Sequence, residues 1–287
     1  MRACPPPLAN PRRPSLVLPA GACDTHCHVF GPAARFPFSD DRAYTPDDAP
    51  KERLAALHDL LGISRTVFVQ ASCHGFDNSA MLDAIADAPD RYRGIAQIEL
   101  DCGVDEIARL HAGGIRGARF NFMTRISPMP ETAKIERLLA RIKPFGWHAV
   151  LHFDSHLIPA LSPWMRRLDM PFVIDHMGRL LASDANGPNH RALVDLVSSC
   201  ENAWVKISGA ERGSAAGPPF TDMTVIARSL VAAAPDRTLW GTDWPHPVLS
   251  GPMPDDGQLV DLLAEFVPDE TARNKVLVDN PARLYEF

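Results

Sequence analysis

The chain has 287 residues, 46% of them hydrophobic, and a formal charge of −6 from 29 basic and 35 acidic side chains. A net negative charge argues against a nucleic-acid partner, and no run approaches the roughly 18 apolar residues needed to span a bilayer. The length suits two small domains or one large α/β domain. Of the basic residues 24 are Arg and 5 Lys, a bias that suits fork-like recognition of anions and equally a GC-rich genome.

Residues 1–20 are rich in Pro and Arg and read as a flexible N-terminal arm, with no apolar stretch of signal-peptide length. From 21 to 287, short apolar runs alternate with amphipathic ones. The expected strands are Ala22–His26, Arg65–Gln70, Gly94–Glu99, Gly114–Asn121, His148–Phe153, Pro171–Asp175, Trp204–Ser208 and Thr238–Gly241. Between them lie expected helices Pro50–Leu61, Asn78–Ala88, Val104–Ala112, Glu131–Lys143, His156–Leu168, His190–Cys200 and Asp222–Ala233, with Gln258–Phe266 and Glu270–Asp279 closing the chain. Eight strands alternating with helices predict one closed parallel (β/α)8 TIM barrel over 21–287. An open doubly wound sheet would show a Gly-rich phosphate turn after its first strand, and His26–Gly31 does not. The Pro-, Gly- and Asp-rich segment 30–49 reads as an active-site loop. The six cysteines form no C-x-x-C pair and suggest no disulfide framework, so a cytoplasmic setting is expected.

Barrel active sites are built at the C-terminal ends of strands. The first strand ends in Asp24-Thr25-His26-Cys27-His28. In an extended strand residues i and i+2 share a side, so His26 and His28 aim at one point and suit a divalent metal or a polarised substrate oxygen. Cys27 between them is expected to face the other way and pack. The second strand ends in Gln70-Ala-Ser-Cys-His74, the fourth runs through Arg116 and Arg119 to Asn121 with Arg125 beyond, and the fifth ends in His152. The sixth ends in Asp175-His176 followed by Arg179, the seventh holds Lys206 and Ser208 with Arg212 beyond, and the eighth ends in Gly241-Thr-Asp-Trp-Pro-His246. Ionisable groups thus recur at one end of most strands. A lone His beside an apolar strand is more often a hydrogen-bonded core residue, and His58, His111, His148 and His190 are read as core or surface. Asp175 as a turn cap and Lys206 as an ion-pair partner inside the barrel are the plain readings of those two.

A strand-one H-x-H, His at strands five and six and Asp at strand eight resemble the amidohydrolase superfamily. Several blocks are more specific: His26-Cys-His-Val-Phe-Gly-Pro32, Gln70-Ala-Ser-Cys-His-Gly75, Arg116-Gly-Ala-Arg-Phe-Asn121, Ile174-Asp-His-Met-Gly-Arg179, Trp240-Gly-Thr-Asp-Trp-Pro-His-Pro247 and Asn280-Pro-Ala-Arg-Leu-Tyr285. From about residue 20 onward these look like the 2-pyrone-4,6-dicarboxylate lactonases and the sister 4-sulfomuconolactone hydrolases.

That resemblance implies a hydrolase that opens a small, polyanionic, unsaturated lactone in aromatic-compound catabolism. Asp243 would activate the water and His176 would assist at the carbonyl. Tyr44, Ser72, His74, Arg119, Arg125, Arg179 and Arg212 would line the pocket and hold the anionic groups. The pyrone lactonases carry Tyr at the strand-five position and act without metal; His152 here departs from that and matches the metal-dependent members. A zinc site of His26, His28, His152 and Asp243 is therefore expected, with metal-free action the alternative. Decarboxylation or C–C hydrolysis of a related acid, and an anion-binding barrel without turnover, are the competing functions. The sequence is silent on oligomeric state.

Overall fold

The structure, a computed structural model, describes residues 2–124 and 129–287. Eight parallel strands form one sheet in strict chain order: β1 Cys23–Cys27, β2 Arg65–Val69, β3 Tyr92–Ala96, β4 Ile115–Asn121, β5 His148–His152, β6 Phe172–Ile174, β7 Ala203–Lys206 and β8 Thr238–Leu239. The sheet is a (β/α)8 barrel. Helices follow the strands as expected: α1 Lys51–Leu61, α2 Ser79–Ala86, α3 Val104–Ala112, α4 Thr132–Ile142, α5 Ile158–Met165, α6 Pro188–Ser199 and α7 Thr224–Ala233. Their apolar stripes pack on the outer faces of the strands. No helix among the described residues is long and apolar enough to cross a membrane.

The ring closes between β1 and β8 by main-chain bonds. Thr25 N–H donates to the Trp240 carbonyl (3.0 Å), Asp243 N–H to His26 (2.7 Å) and His28 N–H to Trp244 (2.8 Å). A side chain at Gly241 would strike His26, since an added Cβ would sit 2.5 Å from its backbone nitrogen; glycine is required for the two strands to meet. Asp24 clamps the same seam. Its buried carboxylate accepts from His26 N–H (2.9 Å), Thr242 N–H (3.1 Å) and Thr242 Oγ1 (2.6 Å), and meets His58 Nε2 of α1 at 3.1 Å. A register shift between Asp24 and Cys27 lets Asp24 reach α1 outside the barrel while His26 turns inward, and Cys27 packs in the outer core.

The chain ends on α8 Asp256–Phe266, α9 Glu270–Asn274, a π turn Lys275–Asp279 and α10 Asn280–Tyr285. Tyr285 plugs the floor of the barrel, packing with Cys23, Val67, Val69, Ile95, Val150, Val173 and Leu239. The arm expected to be flexible lies along the barrel wall. Cys4 and Leu18 are buried, residues 2–3 pair with Tyr44–Thr45, and Arg12, Ser15 and Leu16 bond to Asp255 and Asp261 of the α8 region. Those acidic partners sit some 245 residues away, out of reach of local composition.

Asp24→Ala should lower the unfolding free energy by about 3 kcal/mol or more, because it strips partners from two buried backbone donors and a buried hydroxyl at the seam. A urea midpoint within error of the parent protein would show that the seam does not depend on this carboxylate.

Candidate active site

At the C-terminal mouth of the barrel, Asp243 occupies a left-handed backbone conformation, φ 65°. Its N–H donates to His26 and its carbonyl accepts from His246 N–H (2.7 Å), which fixes a conformation costing a non-glycine residue about 1–3 kcal/mol. His176 is likewise at φ 51°. Such backbone turns side chains across the mouth instead of along the strand.

Three imidazoles surround one carboxylate oxygen. Asp243 Oδ1 lies 3.3 Å from His28 Nε2, 3.6 Å from His26 Nε2 and 3.7 Å from His176 Nε2. The other oxygen, Oδ2, is gripped by Arg212 through Nε (2.6 Å) and Nη2 (2.5 Å). Burial would raise the Asp243 carboxyl, but Arg212 and the histidines outweigh it and hold it well below the usual carboxylate range. His176 is driven down to about 4 by burial, so it is neutral at physiological pH. Ser208 Oγ meets its Nδ1 at 3.0 Å. His28 Nδ1 donates to the Val69 carbonyl at 2.7 Å, which turns its Nε2 toward Asp243.

Below this layer the barrel carries an ionic core. Asp175 lies between Lys206 Nζ (3.2 Å), His26 Nδ1 (3.2 Å) and Arg119 Nε (3.0 Å). Burial opposes its ionisation, yet Lys206, His26 and Arg119 keep its carboxyl well below normal.

The expected residues converge well. His28, Tyr44, Ser72, Arg119, His152, His176, Arg179, Arg212 and Asp243 line one cavity, with His26 fully buried beneath it. Each arginine is anchored at Nε by a carboxylate, Arg119 by Asp175, Arg179 by Asp154 and Arg212 by Asp243, which sets the plane of its fork. His74 faces an adjoining cavity that shares Ser72 and Arg119 with the first. Arg125 lies outside the described residues.

His152 is where structure and expectation diverge. The close-set groups that include His26 join it either with His28 and Asp243 or with Asp175 and His176; none of the close-set groups contains His152. Its ring stands 5.7 Å from that of His176, and both its nitrogens are buried without partners. β5 ends level with Asn121 of β4. Burial, then Arg119, keeps it neutral.

Other residues at the mouth were not singled out beforehand. Asn121, Met123, Pro247 and Val248 complete the cavity wall; the place of Asn121 at the end of the fourth strand is the one signal in the sequence for any of them. Behind Arg212, Glu211 lies 3.4 Å from its Nε and 3.6 Å from His246 Nδ1, and His246 Nε2 lies 3.1 Å from Asp256. Burial alone would lower His246, but Asp256 and Glu211 raise it to about 10, making it a buried imidazolium between two carboxylates.

A parallel barrel with a strand-one H-x-H pair, a strand-six His and a strand-eight Asp gathered at its mouth is the architecture of a hydrolase. The chain belongs to the amidohydrolase family, whose model matches residues 23–287. It is 42% identical over 286 residues to a 2-pyrone-4,6-dicarboxylate hydrolase of Comamonas testosteroni, covering 96% of this chain and 94% of that one. A 4-sulfomuconolactone hydrolase of Rhizobium radiobacter is 40% identical over 288 residues, covering 98% and 96%. Among solved structures, a probable 2-pyrone-4,6-dicarboxylic acid hydrolase of Acinetobacter baumannii with citric acid bound superposes with a TM-score of 0.81 at 25% identity, covering 93% of this chain and all of that one.

One buried histidine away from the mouth sets an acid limit. His148 at the start of β5 is pushed down to about 3 by burial, against about 6.5 when unfolded. The unfolded chain therefore binds the extra proton first as pH falls, and stability is lost between about pH 6.5 and 3, by up to about 1.4 kcal/mol per unit. Urea midpoints taken from pH 7 to 4.5 should decline, and His148→Phe should make that decline shallower. Equal slopes in the two proteins would contradict the assignment.

Proposed function

We propose that this protein is a lactonase that adds water to a small, polyanionic, unsaturated lactone of the 4-sulfomuconolactone or 2-pyrone-4,6-dicarboxylate type, in aromatic-compound catabolism. The observation that carries the reading is the Asp243 carboxylate, ionised by Arg212 and facing three imidazole Nε2 atoms across one point. The names of the relatives at 40–42% identity support the substrate class. Six free cysteines suit a cytoplasmic setting.

Arg119, Arg179 and Arg212, together with Tyr44 and Ser72, receive the anionic groups and seat the ring. His74 serves the adjoining cavity. Asp243 takes a proton from the attacking water as the water oxygen bonds to the lactone carbonyl carbon. His176, neutral and oriented by Ser208, donates a hydrogen bond to the oxyanion that develops. The bond from that carbon to the ring oxygen then breaks, and the proton held by Asp243 passes to the departing enolate oxygen. The product is the ring-opened acid, heavier by one water, with no CO₂ released.

The donor set fits one divalent ion. His28 Nε2 and Asp243 Oδ1 offer lone pairs to a common point, and His26 Nε2 is a buried atom without a hydrogen-bond partner beside them. Zinc is our proposal for that ion, held by His26, His28 and Asp243, with His152 lining the pocket. When bound it would polarise the carbonyl and lower the pKa of a coordinated water to about 7.

Asp243→Asn should cut kcat by about 10²–10⁴-fold in an assay comparing pyrone dicarboxylate, sulfomuconolactone and carboxymuconolactone, with product mass recorded. Turnover left intact would exclude Asp243 as the base, and CO₂ release would point to a decarboxylase. Arg179→Met should raise KM by about tenfold or more with little change in kcat, the loss of one charge-assisted hydrogen bond. Chelation should abolish activity and zinc restore it; full activity in demonstrably metal-free protein would leave carbonyl polarisation to the imidazoles alone.

A further inference from the structure

In the loop that follows β8, three non-glycine residues of the segment 243–248 have left-handed backbone: Asp243 (φ 65°), His246 (φ 58°) and Val248 (φ 60°). Aspartate and histidine tolerate that region, whereas a β-branched side chain there is a true outlier. Such strain persists only where the surroundings over-determine it. Each of the three has its N–H fixed by a bond. Asp243 donates to the His26 carbonyl and His246 to the Asp243 carbonyl, both at 2.7 Å. Val248 donates to the Sγ of Cys4 at 3.3 Å, a partner 244 residues away in sequence.

Cys4 has a firm footing. It is buried, and its N–H donates to the Thr45 carbonyl at 3.0 Å, continuing the pairing of residues 2–3 with Tyr44–Thr45. That strand belongs to the segment 30–49, whose neck is closed by two main-chain bonds between Phe30 and Ala49, 2.9 and 2.7 Å. Farther along the arm, the Pro7 carbonyl accepts from Arg53 of α1 at 3.1 Å. Asp261 of α8 then accepts from the N–H groups of Ser15 and Leu16 at 2.7 and 2.8 Å. The arm lies so close to α8 that a side chain at Gly257 would strike the Arg12 carbonyl. Tyr44 and Val248, the two neighbours that Cys4 links, both line the cavity, and Cys4 stands behind them, not in it.

We propose that Cys4 is a positioning residue for substrate binding: standing on the Tyr44–Thr45 strand, its sulfur holds Val248 in the left-handed turn, so that the loops after β1 and β8 meet the substrate as one wall. A thiol sulfur is a weak acceptor, yet it is the group that occupies the N–H of the most strained of the three residues. Without it the valine can relax toward the backbone it prefers, and the part of the wall it forms moves with it. The effect falls on how the substrate is seated, since Cys4 touches none of the groups that carry out the hydrolysis. The inference rests on the proposed function only in taking Tyr44 and Val248 to face a lactone.

Amide hydrogen exchange tests it without any lactone. The Val248 N–H should be protected in the wild-type protein; an unprotected amide there would overturn the proposal without any variant. Cys4→Ala keeps the Cβ and removes the acceptor, whereas Cys4→Ser restores one. Exchange at Val248 should be about tenfold faster in Cys4→Ala and return toward the wild-type rate in Cys4→Ser. With the lactones named above, Cys4→Ala should raise KM about three- to tenfold while kcat stays within about twofold, the loss of one hydrogen bond, and Cys4→Ser should recover it. Equal exchange at Val248 in wild type and Cys4→Ala, an unchanged KM, or a serine variant as impaired as the alanine one would each refute the role of Cys4. A wild-type protein that opened none of the three lactones would remove the proposed function, and amide exchange would still decide whether Cys4 holds the wall.

Discussion

Everything at the barrel mouth is arranged around a single buried carboxylate whose two oxygens have different duties. Arg212 takes one oxygen of Asp243 with two nitrogens, and the other is left facing the Nε2 atoms of His26, His28 and His176. A buried carboxylate without a counterion would protonate and stop being a base. The arginine prevents that, and because it occupies only one oxygen it leaves the other available. The left-handed backbone at residue 243, tied to His26 by its N–H, keeps that division in place.

The interior of the barrel is graded from bottom to top. Its floor is apolar, sealed by Tyr285 against aliphatic side chains of β1, β2, β3, β5, β6 and β8. Above lies an ionic layer of Lys206, Asp175 and Arg119 with His26, and above that the imidazoles and arginine forks of the cavity. Buried ion pairs add little net stability over well-packed apolar groups. Their value here lies in orientation, since a carboxylate on Nε fixes the plane of each arginine fork at the mouth. Glu211, His246 and Asp256 extend the same logic behind Arg212.

The barrel was legible because the alternation of β-branched runs and amphipathic stretches is a strong, repeated signal, and all eight strands fall where it put them. Strand ends differ by up to three residues, as at Glu99 against Ala96. The closing Asn280–Tyr285 block reads in the sequence as a motif and not as a helix; Pro281 stands in its first turn, where proline gives up no hydrogen bond, and packing of Tyr285 into the floor provides the reason for the helix. At the site, His26, His28, His176 and Asp243 were readable as strand-end groups. His152 reads as a ligand because it stands at the strand-five position that metal-dependent members fill with His, whereas its ring lies 5.7 Å from that of His176 and outside the close-set groups among the described residues. Lys206 reads from the sequence as an ion-pair partner inside the barrel, and it pairs there with Asp175; its contact with His26, 180 residues distant in sequence, and the lateral contacts of the N-terminal arm are hidden by that separation.

The seam between the first and last strands has a consequence for how the molecule comes into being. Thr25 and Trp240, joined there, are 215 positions apart, and the plug that seals the floor is contributed by residue 285. During synthesis the first strand has no second neighbour, and the apolar interior no base, until nearly the whole chain has emerged from the ribosome. The H-x-H pair is thus among the first functional groups made and among the last to be enclosed, so vectorial folding can supply a partial sheet but never a partial site.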